Sequence, residues 1–453
     1  MKLEEFEKIE QELQLDTETL FGVAWWDLWR YTIYVASSQP DERRLNKSQR
    51  PLRLLWQGIT HLRYFFKRRR TIFILRHPRF KREENRYVDI YTDIIGRDLA
   101  NLGYSALYLE KQTGQSRPLD TGPIYPLALM FSLSALIARM TPSFLLGKGK
   151  LRKVANVLQK LGVANRRLNE KLVFRSVVGF RVRVLLYRLL FKVNKPKVLF
   201  LVVSCGNEDI ICAASMEGVL SIELQHGSPT RGKLNYDYSN SIEKRYFPDV
   251  FLSFGPFFSS RIQLPAKCKH IVDFGYPYLQ HKRKNVRGGR QKKYDLLVLS
   301  QPDCDNYIVL FLSKLVQILP KSFSIRVQLH PQYFSQQNPY SELEGPNFDV
   351  ADSLKSSLYD AFNLSRSAIT VYSTAIYEAR AFGLQAFVLL EERNLLNEFL
   401  ALGEAVAIDP CDNIRYNLNK ITDGISSSDS NASSVFAVYS RENIEGIMRL
   451  AGN

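Results

Sequence analysis

Val198-Leu199-Phe200-Leu201-Val202-Val203, then Val219-Leu220-Ser221-Ile222-Glu223-Leu224, and directly after them Gln225-His226-Gly227-Ser228-Pro229, form the stretch that decides the fold. Two short apolar runs flank a segment rich in small residues, Asn207 to Gly218, whose pattern predicts a helix. The three together read as one βαβ unit of a parallel sheet. Open α/β sheets bind ligands beyond the carboxyl ends of their strands, so this unit carries Gln225-His226-Gly227 to the edge where chemistry is done.

Upstream, Thr71 to Leu75 reads as another buried strand, leaving into Arg76-His77-Pro78-Arg79. Residues 87 to 110 alternate helix-like and strand-like apolar groups, and residues 126 to 193 read as long basic helices. Residues 2 to 20 are helical in pattern, Trp25, Trp26 and Trp29 are expected in a core, and residues 45 to 67 form a basic amphipathic segment. Downstream, Pro248 to Phe254 and His270 to Phe274 continue the strands. A polar, basic stretch from Gln280 to Lys293 with Gly288-Gly289 has linker composition, which puts the domain boundary at 285/286.

A second α/β series follows at once. Strand Tyr294 to Leu299 ends in Ser300-Gln301-Pro302, a helix spans Tyr307 to Leu319, and strand Ser324 to Leu329 ends in His330-Pro331. A weaker strand near Ala368 to Tyr372 ends in Ser373-Thr374, and a helix from Ala375 to Phe382 leads to strand Gln385 to Leu390. Three polar turns thus stand just past strands, Gln225-His226-Gly227 in the first domain and His330-Pro331 and Ser373-Thr374 in the second. Two such domains are expected to face each other across a cleft.

Composition bounds the rest. The chain has 453 residues with 45% apolar, enough for two cores, and its 62 Lys and Arg against 45 Asp and Glu give a net charge of +17. The cations crowd the first two hundred positions, which suits a polyanion: nucleic acid, an anionic lipid surface or a phosphate-bearing substrate. No nucleic-acid module accompanies the charge, so nucleic acid is not expected as a partner. Five cysteines form no CxxC pair, and a cytosolic compartment fits them. The first residues are acidic and lack an apolar core, so no signal peptide is expected. The longest uncharged run, Thr121 to Ala138, contains Pro123 and Pro126 and is shorter than the roughly twenty residues of a span. It reads as a buried or interfacial helix.

His226, at a strand end before Gly227 and Pro229, is a candidate general base, because imidazole titrates near neutral pH. Glu208 and Asp209 open the preceding helix and are rivals for that role. His330 before Pro331 is held extended and can offer a donor nitrogen to phosphate. The His77-Pro78 dipeptide reads as a copy of it without matching partners. Ser373 and Thr374 open a helix, a natural anion site, and Glu378 one turn on can accept from ribose hydroxyls. Ser300 and Gln301 are candidate phosphate or ribose neighbours, while Gln225, Arg231 and Lys233 are candidates for holding an acceptor. The six histidines are scattered, and no metal site or cofactor is expected.

The order Gln225-His226-Gly227-Ser228-Pro229, His330-Pro331, then Tyr372-Ser373-Thr374 with its helix and Gly383 resembles CDP-glycerol glycerophosphotransferases. It is also similar to bacterial sialyltransferases and Kdo transferases. The resemblance covers about residues 197 to 390. It implies the GT-B architecture, two Rossmann-like domains, here with extra N-terminal helices: an acceptor-side domain over 1–285 and a nucleotide-sugar-binding domain over 286–453. It places His330, Ser373 and Thr374 on the CMP phosphate and His226 where the glycerophosphotransferases have their first-domain histidine. The sialyltransferase pattern takes its base from an acidic pair followed by Gly, and here Glu208-Asp209 is followed by Ile210. The glycerophosphotransferase pattern has Trp before the histidine where this chain has Gln225, a departure that favours a sugar transferase.

The expected activity is a metal-independent, inverting glycosyl transfer of a CMP-activated acidic sugar, such as Kdo or sialic acid, from a nucleotide-sugar co-substrate. The acceptor is a bacterial surface polysaccharide or lipid-linked glycan. The alternative is a polyol-phosphate transferase using CDP-glycerol or CDP-ribitol. The expected location is cytoplasmic, peripheral at the inner face of the membrane, with an anionic lipid surface as a further partner of the basic first domain.

Overall fold

The computed structural model describes residues 1–38, 71–78, 80–83, 86–111, 123–163, 168–229, 234–238, 243–284, 291–331, 333, 338–352, 356–392, 396–426 and 435–451. The basic segment from Leu45 to Arg70 lies outside them, as do Arg79, Arg231 and Lys233. Two compact units result: Met1–Tyr278 with Ala437–Asn453, and Leu279–Phe436. The boundary assigned from composition lies at 285/286, and the sequence alone keeps the last seventeen residues in the second domain.

The first unit is built on a seven-stranded parallel sheet. Its strands are β1 (Ile72–Leu75), β2 (Ala106–Glu110), β3 (Ile124–Pro126), β4 (Val198–Val202), β5 (Leu220–Leu224), β6 (Val250–Ser253) and β7 (His270–Asp273), in the order β7-β6-β5-β4-β1-β2-β3. β1 and β4 are buried at every position, as strands covered on both faces must be. Helices α1 (Leu3–Glu12), α2 (Trp25–Ser38), α3 (Asp93–Asn101), α4 (Ala128–Met140), α5 (Lys148–Lys160), α6 (Glu170–Asn194) and α7 (Glu208–Met216) cover or flank it. Trp25 and Trp26 are buried with Phe6 and the inner face of α6, including Phe174, Val177 and Phe180, in the core that also takes Phe73 and Leu199 from the sheet. The tryptophan-rich segment is core, as its composition predicts.

Two readings of this region change. Residues 87 to 89 belong to a small antiparallel hairpin, Phe80–Glu83 with Arg86–Asp89, rather than to the main sheet, and Ile90 and Tyr91 lie in the turn after it. The uncharged run is not one helix: Ile124–Pro126 is an edge strand, and the helix starts only at Ala128. Pro126 cannot donate to a ladder, which suits it to this outermost position.

The second unit carries a six-stranded parallel sheet, β8 (Tyr294–Leu299), β9 (Ile325–Gln328), β10 (Phe348–Ala351), β11 (Ser365–Thr370), β12 (Gln385–Leu389) and β13 (Val406–Ile408), ordered β10-β9-β8-β11-β12-β13. Helices α8 (Asp305–Val316), α9 (Leu358–Leu364), α10 (Ala375–Ala381) and α11 (Ile414–Ser426) join them. Leu296, Val298, Leu312, Ile325, Val327 and Phe387 are central to its core.

The chain then returns to the first unit. Ala437 N–H donates to Phe254 O at 2.8 Å and Tyr439 Oη to Asp98 Oδ2 at 2.6 Å, and α12 (Arg441–Leu450) follows. Gly275 makes this return possible. Its φ is +89°, and a Cβ there would lie 2.7 Å from Ala437 O.

Candidate functional site

In each unit the strand order reverses at one point, which is where open α/β sheets leave a crevice at their carboxyl edge. In the first unit it falls between β1, which leads on to β2 and β3, and β4, which leads to β5, β6 and β7. In the second it falls between β8 and β11. The candidate residues sort by these two edges.

His226 follows β5 and His77 follows β1, one strand to either side of β4. Their rings meet, with centroids 4.7 Å apart and planes tilted by 36°. Tyr91 lies 5.3 Å from His226 and 5.4 Å from His77, and Tyr276 stacks on Tyr91 at 6.1 Å. His77 therefore has a partner in the fold, contrary to its reading as a bare dipeptide. Its setting is rigid. Arg76 is buried between Asp93 at 2.9 Å and Glu110 at 2.6 Å, with its guanidinium 4.5 Å from the Phe80 ring centre. Buried Asp89 accepts from His77 N–H and Tyr91 N–H, both at 2.9 Å, and from Thr92 Oγ1 at 2.7 Å. One carboxylate thus positions both rings that face His226.

Between the two histidines β4 is followed by Val203, whose φ is +64°. A β-branched residue in the left-handed region is strained and persists only where its surroundings over-determine it; such residues gather at active sites. Asn207 Nδ2 holds the turn by donating to Val203 O at 2.6 Å.

Gln225 has another role than the one expected. It is 0% exposed, and its amide is spent inside the protein: Oε1 accepts from Phe254 N–H at 2.6 Å and Ser253 Oγ at 3.2 Å, and Nε2 donates to Gly227 O at 2.8 Å. It ties the end of β5 to the end of β6 and fixes the turn that carries His226. Buried and bonded in this way, its amide is committed to the protein's own backbone and to Ser253 rather than to a ligand.

Glu208 and Asp209 are likewise interior, at 5% and 3% exposure. Asp209 is paired with Arg183, and Glu208 lies 3.6 Å from buried Lys244. Burial raises the Glu208 carboxyl above its ordinary range, against the pull of Lys244. Each acid is committed to a cation, Glu208 to buried Lys244 and Asp209 to partly exposed Arg183, so neither is placed as a base in this arrangement. Arg231 and Lys233 lie outside the described residues.

On the second unit, His330 follows β9, Ser300 and Gln301 follow β8, and Ser373 and Thr374 follow β11, three adjacent strands. The sheet order therefore brings all three turns to one edge. His330 is half-buried and Pro331 exposed, in a turn closed by Tyr333 N–H to His330 O at 2.9 Å. Ser373 is half-buried, its Oγ accepting from Ala375 N–H at a long 3.4 Å, and Thr374 is exposed with no side-chain cap. Glu378 accepts from Tyr359 Oη at 2.6 Å.

Ser300 and Gln301 are drawn inward instead. Ser300 Oγ donates to Asp305 Oδ2 at 2.9 Å, and Asp305 also accepts from Gln301 N–H, Tyr333 Oη and Tyr340 Oη. Gln301 Oε1 accepts from Tyr372 N–H at 2.9 Å and Thr370 Oγ1 at 3.0 Å. Gln301 links β8 to β11 as Gln225 links β5 to β6. Their side chains are committed to the turns of this sheet edge rather than to a ligand, unlike the role expected of them.

No family model matches the chain, and no curated protein matches it by sequence. Solved structures do. The UDP-GlcNAc 2-epimerase from Methanocaldococcus jannaschii, in complex with UDP-GlcNAc and UDP, is 12% identical with a TM-score of 0.45, covering 84% of this chain and 99% of that one. The wall teichoic acid polymerase TagF is 10% identical with a TM-score of 0.41 over 89% of this chain and 96% of its own. UDP-GlcNAc 2-epimerase from Neisseria meningitidis, bound to UDP-GlcNAc, is 10% identical with a TM-score of 0.52, over 84% of this chain and 99% of that one. The last likeness, with the two parallel sheets, shows the fold: the chain has the GT-B architecture of two Rossmann-like α/β units.

Proposed function

We propose that the protein is a transferase that uses a cytidine-nucleotide donor and releases CMP, with His226 as general base. The observation that carries this reading is the packed pair His77 and His226 at the switch-point edge of the first unit, beside strained Val203. A base needs a rigid mount, and Asp89 fixes the backbone of His77 and Tyr91, whose rings pack on His226. The rival acids are spent in the core. In the reaction, His226 takes the proton of an acceptor hydroxyl as the oxygen attacks the donor's anomeric carbon. The bond from that carbon to the phosphate oxygen breaks, and CMP leaves with the electron pair. His330, Ser373 and Thr374 donate to the departing phosphate, work that preorganised hydrogen-bond donors can do.

The donor we favour is a CMP-activated acidic sugar, and the acceptor a surface glycan or its lipid-linked precursor. A CDP-polyol donor is the second reading. The burial of Glu208 and Asp209 favours it, because it leaves a histidine rather than an acid as base. There the acceptor oxygen attacks the β-phosphorus, and CMP again departs. Purified protein incubated with CMP-sugars, CDP-polyols and UDP- and GDP-sugars, read by nucleotide release, tests this directly. CMP release is expected, and phosphorus in the product identifies a polyol-phosphate transfer. His226→Ala is expected to lower turnover by about 10²–10⁴-fold with the donor still bound. His77→Ala is expected to cost less and to move the pH profile, while His330→Ala weakens donor binding. Release of UDP or GDP alone, or full turnover by His226→Ala, refutes the proposal.

A further inference from the structure

α4 is inside out. Its side toward α6 carries buried Ser134 and Ala138, close to Gly179, whereas Leu133, Leu136, Ile137 and Met140 stand in solvent. Those four occupy positions i, i+3, i+4 and i+7, one continuous apolar stripe that a helix of a globular protein normally turns inward. The stripe runs on into the 3₁₀ turn Ser143–Leu146, where Phe144 is 70% exposed and Leu145 57%, and Met140 beside them is 73% exposed. Exposed apolar area of this continuity marks an interaction surface.

The charge around it selects the partner. α5 begins three residues after Leu145 and has no acidic residue in its first turn, although the amino end of a helix favours anions. Lys148, Lys150 and Arg152 are exposed there instead, with Arg139 exposed at the end of α4. Lys153 is tied to Glu18. Cations gathered at the positive end of a helix, next to a protruding aromatic, suit a plane of negative charge over an apolar layer. Among the described residues no helix is long and apolar enough to cross a membrane.

We infer that the corner formed by the outer face of α4, the Ser143–Leu146 turn and the start of α5 docks the protein on an anionic lipid bilayer. Phe144, Leu145 and Met140 enter the acyl boundary, and Lys148, Lys150 and Arg152 meet the headgroups. The inference stands apart from the donor reading, since it uses none of the residues of either sheet edge.

The test is flotation of the full chain with vesicles of phosphatidylcholine alone or containing phosphatidylglycerol. Binding is expected only with phosphatidylglycerol and is expected to weaken with salt. Replacing Lys148 and Lys150 together by Gln should lower vesicle affinity about 25-fold, roughly fivefold for each cation. Phe144→Ser with Leu145→Ser should lower it by about tenfold or more. Both variants alter exposed side chains, so unfolding midpoints and release of nucleotide from soluble donors should match the parent, which separates failure of docking from failure of the proposed reaction. Equal flotation on neutral vesicles, or unchanged affinity in both variants, overturns the inference. So does a dimer in sedimentation that Phe144→Ser dissociates, because the stripe would then be covered by a second copy.

Discussion

Replacing Gln225 by Met removes an amide and keeps the volume, which isolates what the hydrogen bonds of this side chain do. Phe254 N–H, in a buried setting, loses an acceptor at 2.6 Å, and Gly227 O loses a donor at 2.8 Å. Ser253 Oγ also donates to Gly255 O at 3.0 Å and is left less exposed to the loss. A buried donor deprived of its partner costs about 1–3 kcal/mol and an ordinary bond about 1 kcal/mol, so Gln225→Met should destabilise the first unit by about 2–4 kcal/mol. In a domain of this size that lowers the Tm by roughly 5 °C or more. Thermal and urea unfolding measure the cost, and steady-state kinetics in acceptor measure the alternative. Turnover should fall because the His226 turn loosens, with acceptor KM changed little. A variant as stable as the parent, with a raised acceptor KM, would refute this account and restore Gln225 as an acceptor contact.

Glu223 offers a pH test. Burial lifts its carboxyl from 4.5 to about 7, against a hydrogen bond from Tyr236 Oη at 2.9 Å. The folded value lies above the unfolded one, so the stability this group contributes is complete below about pH 4.5 and is lost as pH rises through 7. That interval corresponds to about 3 kcal/mol, and Glu223→Gln should flatten the fall in urea midpoint between about pH 5 and pH 8; an unchanged slope refutes the assignment. Glu208→Ala should cost about 3 kcal/mol by leaving Lys244 without its carboxylate, with the shape of the turnover pH profile preserved. If that variant keeps full stability and loses turnover, Glu208 is the base.

Much of the site was legible before any coordinates. Short runs dominated by apolar residues and bounded by polar turns marked β1, β4, β5, β8 and β9 to within a residue or two, because strands covered on both faces are largely apolar. Short edge strands escaped. Ile124–Pro126 merges into the uncharged run that reads as a helix, and Phe348–Ala351 and Val406–Ile408 do not read as strands. His77 was visible as a histidine past a strand, the same signal that selected His226. What the chain order cannot say is that β1 and β5 flank β4, and that alone makes the two rings neighbours.

The amino-acid sequence by itself determined which residues end strands, and so which could reach a sheet edge, because strand ends are set locally by hydrophobic pattern and turn chemistry. The tertiary structure decided which of those residues keep their side chains available. Gln225 and Gln301 stand one or two positions past a strand and Glu208 and Asp209 open the helix that follows one, yet all four are turned inward onto partners distant in sequence: Phe254, Tyr372, Lys244 and Arg183. Burial and pairing of this kind depend on packing between distant segments, which no local pattern encodes. The same reason hid the outward stripe of α4, whose residues look like core until its inner face is seen to be taken by Met130, Ser134 and Ala138, the last two close to Gly179 of α6.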